Sequence, residues 1–82
     1  KWLVYPNPAR GHLYVRNYTT SPMQGRLSLS SLSGRELVLD ENCLISERGL
    51  KRFELSKLPA GMYIIRLIGA EETYSAKIIL HK

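Results

Sequence analysis

The chain is poor in the residues that build most reactive centres. Its 82 residues include one cysteine, Cys43, and two histidines, His12 and His81. A single cysteine excludes an internal disulfide, and no metal-ligand spacing surrounds it. Its place in the run Cys43-Leu44-Ile45 marks it as a small core hydrophobe rather than a reactive thiol. The histidines stand near opposite ends of the chain, lack ligand partners, and read as surface side chains. Serines are frequent, yet there is no Gly-x-Ser-x-Gly elbow and neither histidine has an orienting acid. A hydrolase is therefore set aside, and no enzyme activity, cofactor or metal is expected. The longest apolar stretch, Leu55 to Ile68, is too short to span a membrane. There is no initiating Met and no signal peptide, so the chain reads as a piece cut from a longer protein.

Acidic residues are also scarce. Seven Asp and Glu face 12 Lys and Arg, for a net charge of +5. The cations are scattered, and the one cluster, Arg48, Lys51 and Arg52, is broken by Gly49 and Leu50. Neither a basic stripe with interleaved aromatics nor a groove-entering helix is present, so nucleic acid is not an expected partner. At this length the chain forms one domain, residues 1–82, burying about 60–65% of its unfolded surface. That allows one thin core and no deep substrate cavity. A hydrophobic content of 44% argues against disorder.

What the chain does have is strands. The stretch Leu55 to Ile68 enters through Pro59, which lacks an N–H, and Gly61, which adopts backbone angles closed to other residues. Tyr63, Ile65 and Leu67 then share one face and Met62, Ile64 and Arg66 the other, the pattern of a strand inside a sheet. Leu58-Pro59-Ala60-Gly61-Met62-Tyr63 has the form of a tyrosine corner, in which the phenol turns back to the preceding backbone. A plain hairpin strand with a core tyrosine is the alternative.

Trp2 to Tyr5 is a short edge strand stopped by Pro6-Asn7-Pro8. His12 to Asn17 alternates with Leu13 and Val15 inside, and Tyr18 to Gly25 is loop. Arg26 to Ser30 places Leu27 and Leu29 inside and its serines outside. Ser31 to Arg35 is a hairpin turn with Gly34 at positive φ, returning as Glu36 to Asp40. Cys43, Leu44, Ile45, Leu50 and Phe53 could fall on a short helix, but Gly49 interrupts it and no convincing cap closes it, so a short strand at Cys43–Ser46, a basic loop at Glu47–Lys51 and a strand at Arg52–Leu55 are preferred. After a turn at Gly69 to Glu72, Thr73 to Leu80 forms the last strand, with Tyr74, Ala76, Ile78 and Leu80 on one face. The sum is an all-β, immunoglobulin-like antiparallel sandwich of about seven short strands.

Five segments in order carry a resemblance: Val4-Tyr5-Pro6-Asn7-Pro8; Leu13 and Val15; Leu32-Ser33-Gly34-Arg35-Glu36-Leu37-Val38; Leu55-Ser56-Lys57-Leu58-Pro59-Ala60-Gly61-Met62-Tyr63; and Ala76-Lys77-Ile78-Ile79. Over essentially the whole chain this set resembles the type A C-terminal sorting domain of the type IX (Por) secretion system of Bacteroidota. The resemblance implies an immunoglobulin-like domain at the C-terminus of a cargo protein. It implies recognition in the periplasm by the outer-membrane translocon and its shuttle protein. It further implies, in many cargos, removal by a sortase-type cysteine peptidase and anchoring at the cell surface. The signal would lie in Tyr5, Pro6, Asn7, Pro8, Gly34, Leu58, Gly61, Tyr63 and Lys77. One departure is Ser31, where the family often has an Asp that bonds the hairpin turn; a serine does so more weakly.

Two functions remain in competition on the sequence. One is the secretion signal. The other is an immunoglobulin-like spacer or adhesive module that binds carbohydrate, through Trp2 or Tyr14, or another protein. Lys77 is either a recognition residue or a charge that guards an edge strand against accidental pairing. Dimerisation through an exposed edge stays open.

Overall fold

Period-two alternation becomes strand along most of the chain. A computed structural model describes residues 1–82. It has eight strands and no helix: β1 (Trp2–Tyr5), β2 (Ala9–Arg10), β3 (His12–Asn17), β4 (Met23–Ser31), β5 (Glu36–Ile45), β6 (Leu50–Glu54), β7 (Gly61–Ile68) and β8 (Thr73–His81). They form a three-stranded sheet, β1-β3-β6, and a five-stranded sheet, β2-β8-β7-β4-β5. The sheets close on one cluster of 14 buried apolar residues, which makes an immunoglobulin-like sandwich.

β7 is the middle strand of the larger sheet, as its two apolar faces require. Tyr63, Ile65 and Leu67 are buried, Met62 and Ile64 half-buried, and Arg66 exposed. In the register, Ile65 stands between Leu29 of β4 and Ala76 of β8. Cutting such a side chain back to alanine costs about 2–5 kcal/mol. β1 is an edge strand, and β3 buries Leu13 and Val15.

The eight strands agree with the expected sandwich of about seven, and several details need correction. The additional one, β2, spans two residues and pairs parallel to β8, so the sandwich is not wholly antiparallel. The two strands expected at Glu36–Asp40 and Cys43–Ser46 merge into one, β5, which ends at Ile45 and is kept continuous by irregular register opposite Gly25 to Ser28. β4 begins at Met23, inside the segment assigned to loop, and β6 begins at Leu50, inside the segment assigned to the basic loop. The serines of β4 do not all face water. Ser28 is 1% exposed, because it lies between Val38 and Arg66 on the neighbouring strands.

Asn17 is a buried polar hub at the end of β3. Its Nδ2 donates to the carbonyls of Ser21 (2.9 Å), Ile45 (3.0 Å) and Ser46 (3.1 Å). Its Oδ1 accepts from the backbone N–H and hydroxyl of Thr19. A fully buried amide must be satisfied in this way, and these bonds tie the end of β3 to the end of β5 across the two sheets.

Candidate recognition surface

The Tyr5-Pro6-Asn7-Pro8 segment links the first strand to the last. Tyr5 ends β1, and its ring stacks on Tyr14 at 5.5 Å between centroids. Pro6 and Pro8, both preceded by cis peptide bonds, have no N–H to offer a ladder. The Asn7 side chain supplies what they lack. Its Nδ2 donates to the Lys77 carbonyl, and its Oδ1 accepts from the Ile79 N–H, both at 3.0 Å. β2 pairs with β8 in the register Ala9–Leu80, which extrapolates to Asn7 opposite Ile78. A residue opposite Ile78 in a parallel ladder bonds residues 77 and 79. The Asn7 carboxamide thus stands in for a backbone unit and extends the ladder through the proline segment. The edge of β8 is closed from Lys77 onward. The Lys77 side chain itself is exposed, faces away from the core beside Ile64, and makes no ion pair.

The remaining motif residues gather at the same end of the sandwich. Gly34 closes the β4–β5 hairpin with φ of +90°, and its N–H donates to the Ser31 carbonyl at 3.0 Å. The Ser31 hydroxyl accepts from the Arg35 N–H at 3.2 Å, so serine here does bond the turn backbone. Opposite the hairpin, the Tyr63 hydroxyl donates to the Pro59 carbonyl at 2.7 Å, forming the corner. Leu58 is half-buried against the core. Gly61, with φ of +152°, lets the chain swing from the corner into β7. The registers Ser31–Tyr63, Gly61–Leu80 and Ala9–Leu80 put hairpin, corner, β2 and the end of β8 side by side. Between hairpin and corner lies a cleft of about 630 Å³.

Residues 3–81 match a family model described as a secretion system C-terminal sorting domain. The chain belongs to this family. No curated protein sequence matches it. Members of the family are sorting signals of type IX secretion, which carries proteins to the cell surface or beyond it.

The ion pairs of the sorting domain lie at its surface, and its one cysteine lies inside. Burial is the main cause that raises the Cys43 thiol pKa; nearby Lys51 lowers it and Asp40 raises it further. Of the four ion pairs, Arg52–Glu54 is the shortest at 2.9 Å, and all join exposed or half-exposed side chains worth little individually. No helix is long and apolar enough to cross a membrane. Sequence reasoning missed Ala9 and Arg10. Ala9 is fully buried, and Arg10 donates to the Lys82 carbonyl at 2.7 Å. The one available signal was the alternation of small and charged residues right after Pro8.

Proposed function

We propose that this sorting domain ends a cargo protein and is read as a folded surface by the type IX outer-membrane translocon and its shuttle protein. On this reading it passes through the periplasm, and a sortase-type cysteine peptidase then removes it as the cargo is anchored at the surface. The observation that carries the reading is the family match over residues 3–81. The gathering of Asn7, Gly34, Leu58, Gly61 and Tyr63 at one end supports it, because a signal read in the folded state needs a rigid patch of low entropic cost. Most of these residues act by building that patch, and Lys77 is the motif side chain left free to touch a receptor. The domain performs no chemistry of its own. Fusing residues 1–82 to a periplasmic reporter in a type IX-competent strain tests the proposal. Surface delivery is expected, and a reporter that stays in the periplasm refutes it.

A further inference from the structure

The five-stranded sheet is wider than the sheet packed against it. At the hairpin end this leaves Leu37 of edge strand β5 exposed to 44%, although it shares the inner face with the buried Leu29. Leu32 at the hairpin tip is 76% exposed. These two leucines, with Leu58, Ala60, Met62 and Tyr63, form the apolar lining of the cleft of about 630 Å³ between hairpin and corner. That volume suits one or two bulky side chains of a bound segment.

The charges around the cleft indicate what fills it. Arg35 and Lys57 line it and make no ion pair within the domain. Its one acid, Glu36, is already held by Arg26 at 3.4 Å. Farther along β5, Asp40 and Glu41 are matched by Lys51 and Arg26, which guards the rest of that edge against strand addition. Two unmatched cations thus flank an apolar hollow. A flat lipid surface cannot enter a hollow, and a bare phosphate would leave its leucines wet. We propose that the cleft seats a segment of a partner protein that inserts a bulky apolar side chain flanked by Asp or Glu. This deepens the proposed function and rests on it for the partner's identity as part of the export route.

The test uses the full reporter fusion with Arg35→Glu/Lys57→Glu and, separately, Leu32→Ser. All three residues are exposed, so the fold should be retained, as thermal melting will verify. Surface delivery should fall about tenfold or more in both variants, while the charge-matched Lys1→Glu/Arg48→Glu variant stays near wild type. In parallel, a random linear peptide library is selected on the purified domain. Binders should join Leu, Ile or Phe to Asp or Glu, and should lose binding to the Arg35→Glu/Lys57→Glu domain. Normal export of the cleft variants beside an exported wild type overturns the inference and leaves the proposed function standing. Failure of the wild-type fusion overturns the proposed function, and the peptide selection then decides the cleft alone. A selection that yields no binders, or binders indifferent to the charge reversal, overturns the cleft. So does binding of anionic vesicles in place of peptide.

Discussion

Asn7→Ala should loosen the last strand without disturbing the core. The change removes two hydrogen bonds, to the Lys77 carbonyl and from the Ile79 N–H. Each is worth about 0.5–1.5 kcal/mol net. Both backbone groups can find water once released, so the expected loss is about 1–2 kcal/mol. A domain of this length holds about 4–12 kcal/mol in total, so the loss is a large fraction of it. The melting temperature should fall by about 4–15 °C. Amide exchange gives the sharper readout: Ile79, whose N–H loses its acceptor, should exchange much faster, while Ile65 in mid-sheet changes only with global stability. Asn7→Asp adds a control through pH. A neutral carboxyl can donate to Lys77 and accept from Ile79, whereas a carboxylate can only accept and meets the Lys77 oxygen. The fold therefore favours the neutral form, and the folded pKa lies above the unfolded value of about 3.9. The clasp in that variant is intact below the unfolded pKa and is lost as pH rises through the folded one. Unchanged Ile79 exchange in Asn7→Ala, or a pH dependence of the opposite sign in Asn7→Asp, would refute the ladder-extension argument.

Tyr63→Phe deletes the 2.7 Å bond to Pro59 and should cost about 1–2 kcal/mol in urea unfolding, with the core otherwise intact. Gly34→Ala places a side chain at φ of +90° and should cost about 1–2 kcal/mol through the backbone alone, since open space surrounds the position; calorimetry checks it. Cys43 should resist thiol reagents in the native domain and react at the rate of unfolding, because it is fully buried and burial raises its pKa; rapid native labelling would contradict this. The Tyr74 phenol donates to Glu72 at 2.6 Å, and this bond, followed by burial and the Glu72 charge, raises its pKa. Its contribution to stability is present below the ordinary tyrosine value of about 10 and fades as pH climbs through the raised one. In an ultraviolet titration, Glu72→Gln should lower the raised Tyr74 value back toward the ordinary tyrosine value.

The legible parts of the fold were those with local causes. β7 announced itself by apolar residues on both faces, and the turn at Gly34 and the corner at Tyr63 by residues whose backbone needs are specific. β2 had no such cause: two residues between Pro8 and Gly11 become a strand only because β8, some seventy positions later, offers an edge. Asp40-Glu41-Asn42 hid the continuity of β5 because three polar residues break the alternation between two strand-like runs, and the irregular pairing that absorbs them is a property of β4 as much as of β5. Ser28 was misread because alternation reports which face a residue is on, while its burial is decided by Val38 and Arg66 on other strands. Of the surface itself, each motif residue was visible singly. Their meeting at one end, and the cleft between hairpin and corner, follow from registers that only the assembled sheets define.

The Asn7 clasp and β2 run alongside β8 in the same direction. A tensile load that reaches this segment from its N-terminal side, with Lys82 held, pulls the two strands past each other lengthwise. The bonds lie across that pull and must fail together instead of peeling one by one. The domain should therefore resist stretching along this axis more than its small core suggests, in the manner of a lap joint.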